Sequence, residues 1–152
     1  MTTVIRPKIS RNNRYWIDKY RHYELKYFCL QYHQWRREYR ELDGLSQDVD
    51  TDGDREYDDP TYNIAAKRLS YLKKIELIEQ TAIAADANIY RYILKGVTEG
   101  HSYNYLKTTL DIPCGKDLYY DRYRRFFWLL DKVRNWYSRL RENVGTTYFR
   151  RR

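Results

Sequence analysis

The sequence predicts an all-α fold: a long helical hairpin followed by a C-terminal helix-turn-helix whose last helix is extended, basic and aromatic. Three observations lead there. The 152 residues include only 6 Gly and 3 Pro, so long stretches run without a helix breaker. Apolar and aromatic residues recur every three or four positions over most of the chain. No stretch alternates apolar and polar residues for long enough to make a strand.

Residues 1–13 read as a basic arm, with Arg6, Lys8 and Arg11 continuing into Arg14. Residues 14–42 contain no Gly or Pro and read as one long helix, with Asn12 or Asn13 as its N-cap. Two stripes run along it. Trp16, Tyr20, Tyr23, Tyr27 and Leu30 form one; Leu25, Phe28, Tyr32, Trp35, Tyr39 and Leu42 form the other. Two stripes predict packing on more than one neighbour, and these aromatics are read as core in preference to a base-stacking platform.

Residues 43–60 hold eight acidic side chains against one basic and form a polar connector. Asp59-Pro60-Thr61 opens the next helix, because Asp or Thr caps and Pro suits the first turn. Within 61–97, Ala65, Leu69, Leu72, Ile75, Ile78 and Ala82 share one face, with Lys67, Lys73 and Lys74 left to solvent. The simplest packing is a hairpin with the first helix. Asp86 is the expected N-cap of a third helix buried through Ile89, Tyr92, Ile93 and Val97, which Gly96 and Gly100 weaken.

Residues 98–145 carry the most informative pattern. Ser102 caps a short helix with Tyr105 or Leu106 and Leu110 inside, and Asp111 to Gly115 form a turn around a buried Ile112. A helix beginning near Lys116 then offers an inner stripe of Tyr119, Tyr123, Phe126, Leu130 and Val133. This is the organisation of a helix-turn-helix. Its outer face carries Lys116, Tyr120, Arg122, Arg124 and Arg125. Lys116 and Tyr120, near the helix N-terminus, are expected to read base edges. Arg124 and Arg125 are expected on phosphates, and Arg122 suits either role. Lys107 and Lys132 complete the DNA-binding set, and residues 146–152 are a basic tail.

The formal charge of +8 is unevenly placed: 10 basic and 4 acidic side chains in residues 1–42, 12 and 5 in residues 101–152. Two basic bodies flank an acidic connector, which makes a polyanionic partner the first to test. No apolar run approaches the ~20 residues of a membrane span, and Met1 to Ser10 hold no secretory pattern, so a cytoplasmic protein is expected. Cys29 and Cys114 read as spectator thiols. His33 follows Cys29 by one helical turn, but two ligands do not make a zinc site. With no triad, phosphate loop or paired thiols in view, the chain is not expected to be an enzyme.

The connector also follows calcium-loop spacing, with Asp48, Asp50, Asp52, Asp54, Glu56 and Asp59 as oxygen donors and Gly53 at the turn. Asp59 is shorter than the usual bidentate Glu, Arg55 occupies a normally apolar position and Pro60 interrupts the exit. A solvated acidic linker, a weak calcium site and an acidic segment masking a basic face are the three readings. No other cofactor is expected.

The order of these elements resembles a known family. The long helix, polar connector, Asp59-Pro60-Thr61, the helix with Ala65-Ala66-Lys67-Arg68 and Ile75-Glu76-Leu77-Ile78-Glu79, and the segment Tyr103 to Leu130 are similar to the ArpU/RinA-type late-gene transcription activators. These are encoded by phages of Gram-positive bacteria, and their C-terminal part resembles the promoter-reading last domain of sigma factors. The resemblance covers roughly residues 59–135. It implies double-stranded DNA binding through Lys116 to Arg125, regulation of phage gene expression and contact with RNA polymerase. A homodimer is expected, since one recognition helix covers one half-site. Two other classes compete: a protein-interaction module that inhibits or adapts a nucleic-acid enzyme, favoured by the Tyr and Trp surplus, and the small subunit of a DNA-packaging terminase.

Overall fold

A computed structural model describes residues 11–45 and 60–149, with side chains placed as far as residue 140. Among the described residues there are six α-helices and no strand: α1 (Lys19–Leu30), α2 (Tyr32–Leu45), α3 (Pro60–Ala85), α4 (Tyr90–Glu99), α5 (Tyr103–Leu110) and α6 (Lys116–Phe149). The all-α expectation holds. No described helix is long and apolar enough to cross a membrane. Arg6 and Lys8 of the arm, the Asp48–Asp59 calcium-loop spacing and Arg150 to Arg152 lie outside the described residues.

The expected single helix over residues 14–42 is two helices, broken at Gln31. There the backbone stays right-handed, but the Gln31 N–H bonds back to the Phe28 carbonyl at 3.3 Å, one residue short of the α pattern, while its side-chain amide donates to the Tyr27 carbonyl. The helix also starts later than expected. Asn13 Oδ1 accepts from the Tyr15 N–H in a turn ahead of it, and Asp18 is the N-cap, accepting from the Tyr20 N–H at 3.1 Å. The break lets each half pack separately: α1 against α4 and α6, α2 against α3.

The α2–α3 pair is an antiparallel hairpin whose register can be read from its polar pairs. Tyr32 donates to Glu79, Lys74 lies 5.1 Å from the centre of the Trp35 ring, and Arg68 stacks on Tyr39 at 4.5 Å and pairs with Asp43 at 2.8 Å. Partner numbers fall along α3 as they rise along α2. Burial, with a further push from the Glu79 carboxylate that accepts its hydrogen bond, raises the Tyr32 hydroxyl to about 12. The apolar face expected along α3 is buried only in its second half. Ile75, Ile78, Ala82 and Ala85 are core, whereas Ala65 is exposed and Leu69 is 50% exposed, because α2 covers that end of α3 from one side only.

Asp86 caps the turn ahead of α4 rather than the helix itself. Its Oδ1 accepts from the Asn88 and Ile89 N–H groups at 2.8 and 3.3 Å, and α4 starts at Tyr90 without a side-chain cap. Gly100 ends α4 at φ 74°, a left-handed closure that Gly adopts without strain. Gly96 has a different use. A Cβ there would sit 2.1 Å from the Tyr119 hydroxyl, so the absent side chain is what admits the fully buried Tyr119.

Two outcomes are expected. Gly96→Ala costs about 2 kcal/mol or more in urea unfolding, and most of that loss disappears in a Tyr119→Phe background, because the clash is with the hydroxyl. An equal cost in both backgrounds would place the clash elsewhere. The second concerns His22, buried against Phe127 with ring centres 4.7 Å apart and Nδ1 unpartnered. Burial, with a smaller push from Lys26, lowers it to about 4 from 6.5. The unfolded chain therefore binds the proton first. This stability is complete above pH 6.5 and is lost, on the order of 3 kcal/mol, as pH falls towards 4. His22→Leu should flatten the fall in Tm across that window.

Candidate nucleic-acid interface

The segment from Ser102 to Lys116 has the predicted local form. Ser102 Oγ accepts from the Tyr105 N–H at 3.3 Å, α5 ends with Asp111 at φ 50°, and the Ile112 N–H closes back onto the Leu106 carbonyl at 3.2 Å. Ile112 is fully buried. The turn is pinned from both flanks: the Tyr103 hydroxyl donates to the Cys114 carbonyl at 2.8 Å, and Lys107 Nζ donates to the Ile112 carbonyl at 3.3 Å while pairing with Asp111 at 3.5 Å.

Beyond the turn, α6 differs from a free recognition helix. Every residue of α6 from Tyr119 to Asp131 is buried or half-buried. Tyr119, Phe126, Phe127 and Leu130 face the core. The opposite side is covered by the chain's own N-terminal segment and α1. Tyr15 meets Trp128 edge-on at 5.6 Å, Arg14 reaches Asp121 at 3.9 Å, and Arg21 binds Asp131 at 2.6 Å and Asn135 at 3.0 Å. The length of α6 and the aromatic surplus were visible in the sequence; the fold-back of residues 14–22 onto α6 was not, because nothing in their spacing names a partner more than a hundred residues away.

The predicted DNA-binding residues take different places in this arrangement. Arg122 is held by Asp86 at 3.0 Å and Asp121 at 2.9 Å, clamping α6 to the α3–α4 turn. Burial opposes the Asp86 charge, but hydrogen bonds from the Asn88 N–H, Arg122 and the Ile89 N–H outweigh it and hold that carboxyl below its ordinary value. Tyr120 packs on the core and accepts from the Tyr103 N–H at 3.3 Å. Lys116 is exposed in the first turn, and Arg124 is half-buried with its Nε unpartnered. Arg125 is half-buried, and Lys132 stands 3.6 Å above the centre of the Trp128 ring.

Lys132 does come together with residues from the other end of the chain, through the Trp128 ring that Tyr15 meets. Helical spacing puts Asp121, Arg125, Trp128 and Lys132 on one side of α6. Across it lies Tyr15, whose ring carries Arg14 at 4.6 Å. The result is an alternation of cation and ring, Arg14 on Tyr15, Tyr15 on Trp128, Lys132 on Trp128, with Asp121 offsetting part of the charge. Rings hold the cations in place without neutralising them. Trp128 and Tyr15 were not among the residues singled out from the sequence.

The first aromatic stripe is also placed differently from the expectation of core. Tyr20 is 76% exposed and Tyr27 64%, with Trp16 and Leu30 also exposed, and Lys19 lies within 6 Å of the Tyr20 and Tyr23 ring centres. The second stripe, through Leu25, Tyr32 and Trp35, is the buried one. Among the described residues no cluster of three or more His, Cys, Asp or Glu side chains is placed to hold a metal ion.

No model of a known protein family matches the chain, and no curated protein or solved structure matches it either.

The division between clamping and solvent-facing cations is testable. Arg122→Ala should cost about 2 kcal/mol in urea unfolding by leaving Asp86 without its partner, while Lys116→Ala stays within about 0.5 kcal/mol of the parent. Equal costs would contradict the division.

Proposed function

We propose that this protein is a non-catalytic DNA-binding regulator that grips double-stranded DNA by its phosphates. The face where the N-terminal segment crosses α6 is the contact surface. The observation that carries this reading is the pair of cations seated on packed aromatic rings, Arg14 on Tyr15 and Lys132 on Trp128, with Arg125 on the same side of α6 by helical spacing. Phosphate recognition needs positive charge fixed in position, and ring stacking supplies that; Asp121 offsets part of the Arg14 charge, and Lys132 has no acidic partner among the described residues. Lys116, exposed at the start of α6, extends the basic surface past the pinned turn.

With α6 covered from Tyr119 to Asp131, base readout by that stretch has little free surface, so affinity is expected to come from the backbone and to depend steeply on salt. The resemblance to ArpU/RinA-type activators supports a role in phage gene expression with RNA polymerase as a further partner, and a homodimer would double the phosphate contacts. A cytoplasmic location fits that role.

Fluorescence anisotropy with mixed-sequence duplex DNA across a salt series tests the reading. Arg125→Ala with Lys132→Ala should weaken binding about tenfold or more and reduce the salt slope by about 2, with the unfolding midpoint nearly unchanged. Absence of binding at low ionic strength would remove this function, and an unchanged slope in the double variant would remove this face. Sedimentation of the DNA complex reports whether it holds one copy or two.

A further inference from the structure

A second surface stands apart from the basic face and has a different chemistry. The inner positions of α6 follow a strict alternation of four and three: Tyr119, Tyr123, Phe126, Leu130, Val133, Tyr137, Leu140, and by sequence spacing Val144. Such spacing keeps one seam facing a partner along the whole helix. Its first part is core, with Tyr119, Phe126 and Leu130 fully buried. Its second part is not: Tyr137 is 50% exposed and Leu140 41%. The same seam is therefore only partly covered at Tyr137 and Leu140.

Beside it lies the exposed half of the α3 face. Between them runs an open groove of about 990 Å³, floored by Phe28, Ala66, Leu69, Leu77, Tyr137 and Leu140. Its rim is charged with one sign in excess. Among the described residues that line it, Lys73 and Lys74 stand against one carboxylate, Glu76, with Arg134 on the opposite side. Lys73 and Lys74 have no acidic partner among the described residues. Lys74 is steadied over the Trp35 and Tyr71 rings, and Arg134 over Phe28 at 4.0 Å.

We infer that this groove binds an acidic amphipathic helix of a partner protein, its apolar stripe on the Leu69–Tyr137–Leu140 floor and its carboxylates against Lys73 and Lys74. A heptad seam accepts a helix as its complement, with knobs seated between residues of the facing positions. The α3 stretch from Ala66 to Gln80 that lines the groove is about 21 Å long, matching a helix of about four turns. Charge selects the kind of helix. A second copy would bring its own α6, which carries Arg134, Arg139 and Arg141 beside this seam, against a rim of the same sign. An acidic helix meets no such repulsion.

The probe is a fluorescein-labelled peptide of about 16 residues with Leu at the heptad a and d positions and Glu and Ala elsewhere, titrated with the full chain. Its counterpart carries Lys in place of Glu. The expected result is saturable binding of the Glu peptide at least about tenfold tighter than the Lys peptide, weakening with salt. Leu69→Ser with Leu140→Ser, both exposed positions, should reduce that binding about tenfold or more while the helical circular dichroism and the unfolding midpoint stay as in the parent. Lys73→Glu should narrow the preference between the two peptides.

Equal affinity for both peptides, or binding indifferent to the Leu variants, would overturn the proposal. A dimer in sedimentation that Leu69→Ser with Leu140→Ser dissolves would overturn it in favour of a second copy. Glu-peptide binding that appears only after the acids of residues 48–59 are changed to Ser would overturn it in favour of the chain's own acidic segment. None of these readouts involves DNA, so the result stands or falls separately from the proposed function.

Discussion

A helix of 34 residues is about 51 Å long, more than a body of this size can cover, and the way the chain divides α6 governs the rest of the molecule. Its first half is wrapped from two directions. α3, α4 and α5 close over the side of Tyr119, Phe126 and Leu130, and residues 14–22 with α1 close over the side of Trp128 and Asp131. Further along α6, the side chains from residue 135 to 140 are exposed. The burial of the first part restricts where its cations meet solvent, and the exposed stretch leaves part of its apolar seam open beside α3.

The wrapping explains the unusual use of tyrosine. Eighteen Tyr in 152 residues would be hard to bury without leaving hydroxyls unpaired, since each lost hydrogen bond in the interior costs about 1–3 kcal/mol. Most hydroxyls escape that cost at the margins of the core. Tyr32 finds Glu79, Tyr103 finds the Cys114 carbonyl, and Tyr120 accepts from the Tyr103 N–H. Among the described residues Tyr119 is the exception: its hydroxyl is buried without a partner in a space that exists only because residue 96 is glycine. Burial raises its ionisation well above the ordinary phenol range, with small further pushes from Tyr123 and Tyr120, so the group stays neutral. Rings elsewhere carry cations: Arg14 on Tyr15, Arg68 on Tyr39, Lys132 on Trp128 and Arg134 on Phe28. Aromatic seats keep these charges ordered, and both proposed binding surfaces draw on that device.

Local features were largely readable from residue spacing. The Ser102 cap, the Ile112 plug, the start of α6 at Lys116 and its inner stripe all depend on interactions within a few residues, where periodicity and side-chain chemistry are decisive. The roles of individual basic side chains were not. Arg122 and Arg125 stand three residues apart on one helix with the same chemistry, yet Asp86 and Asp121 take the first into a clamp and leave the second half-exposed. The two aromatic stripes of residues 14–42 are similarly alike in composition, and one is exposed while the other is core. No local rule separates members of such pairs, because the difference lies in what packs against them.

The sequence by itself determined that this chain is helical, where its apolar-plugged turn sits, which face of α6 points inward and how unevenly its charge is spread. Each of these comes from propensity, periodicity or composition, all of which act over a turn or two of chain. Tertiary structure alone decided that the first helix breaks at Gln31, that residues 14–22 fold back over α6, and that Arg122 is spent on Asp86 while Lys132 is held above Trp128. Those outcomes depend on contacts between segments up to about a hundred residues apart. The energy of such contacts comes from burial and charge pairing in the assembled fold, which spacing along the chain does not encode.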